Sequence, residues 1–222
     1  MTKNAYAAIE AYMLACMKDV AHDKHHIYRV LNVAVDIAAH EKSTDMDVLI
    51  AACVLHDIGR GAQEADPKLC HAQVGGQMAY DFLLTQNWQK EQALHVQACI
   101  STHRYRGDNL PQSIEAKILF DADKMDACGA IGIARTLIYA GQMDIPMYAK
   151  NEDGNILTEK MESGTHSFVQ EYNFKLKKVY DTFYTVHAKS IASQRQETAK
   201  NFYNGFISEI QTNIGGLFID EN

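Results

Sequence analysis

An apolar run that closes on two polar side chains constrains this chain more than any other feature: Val48-Leu49-Ile50-Ala51-Ala52-Cys53-Val54-Leu55-His56-Asp57-Ile58-Gly59. Thr44-Asp45-Met46-Asp47 just ahead of it has the form of a helix start. Gly59 and Gly61 stop the helix just after the polar pair. The imidazole and the carboxylate stand roughly 100° apart around the helix axis, yet at a fraying end both can bend toward one divalent ion. The dipeptide alone does not decide the matter, because His22-Asp23 is a second instance of it.

Apolar residues recur at helical spacing through most of the chain. Ile9, Met13, Leu14, Met17 and Val20 mark a helix over 4–20. Asp23 is placed to cap a second, which runs to about 40 with Ile27, Val30, Leu31, Val33, Ala34 and Ile37 inward. A polar loop to about Lys68 is expected after the His-Asp pair, then helices over 69–85, 88–103 and 113–126, the last opened by Pro111 and Ser113. Residues 126–140 continue as a helix rich in small side chains (Ala127, Gly129, Ala130, Gly132, Ala134), which can pack closely within one chain or across a homodimer. Residues 141–164 form a long irregular segment with Pro146 and the turn-like Asn151-Glu152-Asp153-Gly154-Asn155. Helices resume over 165–180 and 187–213. With only 3 prolines and little β-branched alternation, the predicted fold is all-α. It is expected as a single domain over 1–222, a core at about 22–140 with the helices of 165–213 packed on it.

Charge and cysteine usage narrow the partners. The formal charge of −7 argues against duplex nucleic acid, whose phosphates need a basic surface. A small phosphorylated substrate held by a local cationic pocket or a metal remains compatible. The 5 cysteines (Cys16, Cys53, Cys70, Cys99, Cys128) are odd in number and never form C-x-x-C. Several fall in apolar helical stretches, as reduced core thiols do. No charged leader precedes an apolar segment at the N-terminus, and no apolar run is long enough to span a bilayer. A cytoplasmic location, away from any membrane, is the expectation.

Three blocks carry a family resemblance: His22-Asp23-x-x-His26-x-x-Arg29-Val30, Ala51-Ala52-x-x-Leu55-His56-Asp57-Ile58, and Ala116-Lys117-Ile118-x-x-Asp121-Ala122-Asp123-Lys124-x-Asp126-Ala127-x-Gly129-Ala130-Ile131-Gly132-Ile133-Ala134-Arg135. In order and spacing they resemble the HD superfamily of metal-dependent phosphohydrolases, in particular its bacterial stand-alone members. The likeness runs from about residue 20 to the end and weakens after 140. It implies an HD-domain helical bundle with metal ligands at His26, His56, Asp57 and Asp123. His25 is the nearest competitor for the first position, and the His-x-x-Arg-Val spacing selects His26. Two imidazoles and two carboxylates leave coordination positions open for water and phosphate, which suits Mn²⁺, Mg²⁺, Co²⁺, Ni²⁺ or Fe²⁺ better than a closed zinc site.

The same resemblance places further residues near the chemistry. His71 and His103 fall where related proteins keep histidines near substrate phosphates or a second metal; the alternative is a helix-terminal imidazole interacting with the helix dipole. Lys124 resembles a phosphate-contacting lysine, against a solvated salt bridge. Arg29 binds phosphate or pairs with a carboxylate, and Asp126 supports the helix junction or orients a ligand. His166 matches a substrate-contacting histidine after the variable segment, and that segment, with Tyr148, Lys150 and Lys160, reads as a lid. The implied reaction is hydrolysis of a nucleoside triphosphate or related nucleotide by a metal-bound hydroxide attacking phosphorus. Asp57 or a neighbouring histidine handles the proton, while Lys124 and Arg29 offset charge. Phosphomonoester or phosphodiester cleavage of another small ester, a non-catalytic nucleotide or metal sensor, a small alarmone hydrolase and an iron-dependent oxygenase are the alternatives. The absence of Gly-Tyr-Pro disfavours cyclic-dinucleotide hydrolysis.

Overall fold

The structure, a computed structural model, describes residues 1–17, 24–104, 109–159 and 166–211. The fold is all-α, as predicted. Its helices are α1 (Lys3–Cys16), α2 (Lys24–Ala38), α3 (Met46–Leu55), α4 (Arg60–Ala65), α5 (His71–Thr85), α6 (Lys90–Thr102), α7 (Ile114–Met125), α8 (Gly129–Gln142), α9 (Phe168–Phe174) and α10 (Val186–Ile210), with a 3₁₀ segment at Leu176–Asp181. An isolated antiparallel bridge between Lys150 and Ile156 is the β pairing seen among the described residues. The helices group into two compact units, one of residues 1–126 with 181–190, the other of 127–180 with the chain from 191 on. The expected caps at Asp23 and the lid residue Lys160 lie outside the described residues.

In the first unit α3 is the central element. Val48, Leu49, Ala51, Ala52, Cys53, Val54 and Leu55 are all buried, so beyond its first turn the helix has almost no solvent face and α1, α2, α5, α6 and α7 pack around it. A helix apolar all round can sit only inside a domain. Each large side chain on it stabilises the fold by about 1.5–3 kcal/mol. Asp45 caps its start by accepting from the N–H groups of Asp47 and Val48. The buried Glu115 accepts from the Asp45 N–H at 2.8 Å, tying the start of α7 to that of α3. Near the other end of α7, Asp121 accepts from the N–H groups of Tyr184 and Thr185 and from the Thr185 hydroxyl, each at 2.8 Å. That anchors the 181–190 segment to this unit.

Two helix boundaries differ from the expectation. α3 stops at Leu55, and His56 to Gly59 form a tight turn in which the Ile58 N–H donates to Leu55 and the Arg60 N–H to Asp57. α4 then begins at once, where a polar loop was predicted. Gly59 has φ −81°, so its role is not left-handed backbone. A Cβ there would lie 2.2 Å from the His71 carbonyl oxygen and 2.6 Å from the Gly75 nitrogen. The chain crosses α5 at a point where only hydrogen fits, and this brings His71 against the turn.

The second difference is at the end of α7. The helix closes at Asp126 instead of running on, and Gly129 takes φ +63° to begin α8. A Cβ at Gly132 would meet the Ala127 carbonyl at 2.2 Å. Gly129 turns the backbone, and Gly132 lets α8 pack closely on that turn.

In the second unit Phe168, Val169, Tyr172 and Leu176 bury against Ile133 of α8 and Ala199 of α10, with Tyr203 and Phe206 packed on the cluster. Tyr172 stacks on Tyr203 at 4.1 Å. Ser167 and Gln170 form a capping box at the start of α9. The predicted helix over 165–180 divides into α9 and the 3₁₀ segment. Residues 143–159 hold no helix, and the expected turn forms, with the Asn151 side chain accepting from the Asn155 N–H at 2.8 Å and Gly154 at φ +82°.

The glycine crossing gives a matched pair of tests. Gly59→Ala is expected to lower stability by about 2–4 kcal/mol in urea unfolding, since neither opposing atom is a movable side chain. Gly61→Ala, in open space within α4, is expected to be neutral or stabilising by up to about 1 kcal/mol.

Candidate metal centre

Four histidines and three aspartates of the first unit converge on the His56-Asp57 turn. His26 comes from the first turn of α2, His71 from the start of α5, His103 from the end of α6, and Asp123 and Asp126 from the last turn of α7. His26, His56, Asp57, His71 and His103 are each at most 5% exposed.

The first group lies on one side of Asp57. His26 Nε2 is 3.2 Å from His56 Nε2, 3.3 Å from Asp123 Oδ1 and 3.7 Å from Asp57 Oδ2. His56 Nε2 is 3.6 Å from the same Asp57 oxygen. The far nitrogens are engaged: His26 Nδ1 meets Asp126 Oδ2 at 2.7 Å and His56 Nδ1 meets the Cys53 carbonyl at 2.8 Å. Those acceptors fix the proton on Nδ1 and turn both Nε2 atoms inward, as metal-binding imidazoles require.

The second group repeats this on the other oxygen. His71 Nε2 and His103 Nε2 are 3.3 Å apart and lie 3.4 and 3.7 Å from Asp57 Oδ1. His71 Nδ1 donates to Gln63 Oε1 at 2.7 Å, and His103 Nδ1 donates to the Ile100 carbonyl at 2.6 Å. The Gln63 amide is oriented by its NH₂ donating to the Leu69 carbonyl. Three buried acceptors thus face one another, and Asp57 Oδ1 has no hydrogen-bond partner. Such a cluster is costly without a cation. The donor set fits a divalent ion: His26, His56 and Asp123 would hold one, and Asp57, His71 and His103 form a second group able to hold another.

Charge follows the same division. Burial works against a charged His26, but the Asp123 and Asp126 carboxylates outweigh it and raise its pKa to about 9. Burial and Arg60 push His71 down to about 3; burial and His56 push His103 down to about 4. Burial also opposes ionisation of Asp57, yet the imidazole of His56 and the guanidinium of Arg60 hold its carboxyl well below the usual range. Asp123 is likewise held low, with Lys124 and His26 overcoming its burial.

The structure gathers His26, His56, Asp57, Asp123, His71 and His103 around one carboxylate. Arg29 stands a step outside: its Nε and Nη2 reach Asp126 at 2.6 and 2.9 Å, so it fixes the carboxylate that orients His26. Lys124 Nζ lies 3.4 Å from Asp123 Oδ2 and 5.2 Å from the Phe120 ring centre. His166 belongs to the second unit, where it borders a cavity of about 300 Å³ beside Phe168 and Glu171. Two participants were not singled out from the sequence. Arg60, 2.6 Å from Asp57 Oδ2, is signalled by its i,i+3 spacing from Asp57. Gln63 carries no such signal.

The raised pKa of His26 fixes a pH dependence. Below about 9 the metal-free protein holds a proton on the Nε2 that an ion must take over. Binding of Mn²⁺ at pH 7.5 is therefore expected to release about one proton, with affinity rising about tenfold per pH unit and levelling above 9. Without metal the sign for stability is opposite: the contribution of protonated His26 is complete below 6.5 and fades as pH rises through 9. Calorimetry in two buffers of different ionisation enthalpy, with and without metal, reads both.

Comparison with known proteins agrees with this fold. Residues 24–128 match the HD domain family. The uncharacterised protein YpgQ of Bacillus subtilis (strain 168) is 28% identical over 198 residues, covering 88% of this chain and 86% of that one. Its solved structure in complex with ADP superposes with a TM-score of 0.72 at 26% identity, over 94% of this chain and 96% of that one. An HD-superfamily hydrolase from Bacillus thuringiensis gives a TM-score of 0.73 at 28% identity, over 95% and 99%. A predicted HD superfamily hydrolase from an uncultured Thermotogales bacterium gives 0.64 at 28%, over 90% of each. The chain therefore carries an HD domain over residues 24–128 and is similar over most of its length to proteins named HD superfamily hydrolases.

Proposed function

We propose that this hydrolase cleaves nucleoside triphosphates or related nucleotides at phosphorus, using divalent ions, manganese foremost, held by His26, His56, Asp57 and Asp123 with His71 and His103. The observation that carries the reading is the Asp57 carboxylate, buried between two pairs of imidazole Nε2 atoms, with the His71 and His103 lone pairs facing an oxygen that has no hydrogen-bond partner. When bound, the ion lowers the pKa of coordinated water and screens phosphate charge.

The chain's own residues divide the remaining work. Asp57, held ionised, joins the two halves of the site. Arg29 and Asp126 keep His26 in one tautomer. His71 and His103 titrate too low to be good bases near neutral pH, which favours ligation over proton transfer for both. Lys124 and Arg60 supply the fixed positive charge beside Asp123 and Asp57 that a polyphosphate requires. The ADP complex of the Bacillus subtilis relative supports a nucleotide as the substrate class. His166 keeps the substrate-binding role that its place in the sequence implies. All 5 cysteines stand as thiols outside any disulfide, which supports a cytoplasmic protein, and among the described residues no helix is long and apolar enough to cross a membrane.

Metal-stripped protein reloaded with Mn²⁺, Mg²⁺, Co²⁺ or Ni²⁺ and offered ribo- and deoxynucleoside mono-, di- and triphosphates tests this by mass spectrometry of products. Monophosphate plus pyrophosphate is expected. His56→Ala and Asp57→Ala should lower the rate beyond the roughly 10- to 100-fold that supporting residues alone cost. Nucleoside plus phosphate would move the assignment to a phosphatase, and no product with any metal would remove the nucleotide reading.

A further inference from the structure

A second cluster of metal-ligating side chains lies on the first unit, away from Asp57. Asp36 is near the end of α2, about 15 Å along the helix from His26 at 1.5 Å per residue. His40 follows in the turn after α2, and His187 opens α10. His187 Nε2 is 3.0 Å from Asp36 Oδ2. The His40 and His187 rings stack with centroids 3.5 Å apart. His40 Nδ1 donates to the Asp36 carbonyl at 3.0 Å, which leaves its Nε2 with a free lone pair. One ligand atom from each of the three residues lies within 4.8 Å of the others.

We propose that Asp36, His40 and His187 bind one borderline transition-metal ion, Zn²⁺, Ni²⁺ or Cu²⁺, at a site independent of the Asp57 centre. Two imidazole nitrogens and one carboxylate oxygen favour these ions over Mg²⁺ or Ca²⁺, and the surface position lets water complete the coordination. The backbones are set before any ion arrives. α2 carries Asp36, and the Thr185 contacts to Asp121 hold the start of α10 that carries His187. Because the rings lie nearly parallel, one must turn about its Cβ–Cγ bond to point its lone pair at the ion, a soft torsion for histidine. The ion would join residues 151 positions apart in sequence, clamping the returning 181–190 segment onto α2. A clip across so long a loop acts on stability.

The test is Zn²⁺ binding to the full chain by equilibrium dialysis with elemental analysis. Wild type, Asp57→Ala and the double variant His40→Ala/His187→Ala are compared, with helical content checked by circular dichroism. The double variant should lose one ion per chain, and Asp57→Ala should keep that ion. In the Asp57→Ala background, saturating Zn²⁺ should raise Tm by about 5 °C, and adding the two histidine changes should abolish the rise. Cu²⁺ electron paramagnetic resonance should show hyperfine coupling from two nitrogens that the double variant lacks. Equal ion counts in wild type and double variant, or affinity weaker than about 1 mM, would overturn the proposal. If the double variant fails to fold, His40→Gln at the exposed position reads the same difference. Failure of nucleotide hydrolysis leaves every one of these readouts unaffected.

Discussion

Burial of the Asp57 carboxylate is the constraint on which the first unit depends. Two oxygens enclosed at 2% exposure need positive charge or donors, since an ionised carboxylate left alone in the interior is far too costly. Arg60 meets one oxygen. The imidazoles around it turn their Nε2 atoms inward, because each far nitrogen is committed to a carbonyl, an amide oxygen or a carboxylate. Protonated His26 and Arg60 answer the Oδ2 side, whereas Oδ1 faces His71 and His103 without a donor, and that side fits a cation.

The surrounding fold keeps that arrangement rigid. α3 delivers His56 and Asp57 from the most buried helix of the unit, where close packing leaves little freedom for a turn to drift. The chain of Arg29, Asp126 and His26 runs from partly exposed surface to the centre, each link between 2.6 and 2.9 Å. The glycine contact between Gly59 and Gly75 brings α5, and with it His71, to the other carboxylate oxygen. Loss of any of these three supports would misplace a ligand without touching the ligand itself.

Much of this was legible in the residues. Helical periodicity located α1, α2, α5, α6 and α7 within a few residues, and the caps at Asp45 and Ser113 appear where side chains of that type precede apolar runs. The blocks around His26, His56-Asp57 and Asp123 named side chains that the fold does bring together. Less legible were the short α4, whose residues Arg60–Ala65 carry no apolar stripe, and the break between α7 and α8, where Gly129 turns the chain while Gly132 packs closely on it, as small residues were expected to. Arg29 was read as a phosphate ligand or a structural partner, and only the position of Asp126 shows which group it holds.

The sequence by itself determined an all-α chain and a His-Asp pair at a helix end, because periodicity and capping are properties of neighbouring residues. Only the tertiary structure decided that His71 and His103 face one oxygen of Asp57 while His26 and His56 face the other. It alone decided that Gly59 is required for contact and not for backbone conformation, and that His40 meets His187. Those pairings are set by which helix faces meet across long stretches of chain, and no local pattern encodes the depth or angle at which two faces pack.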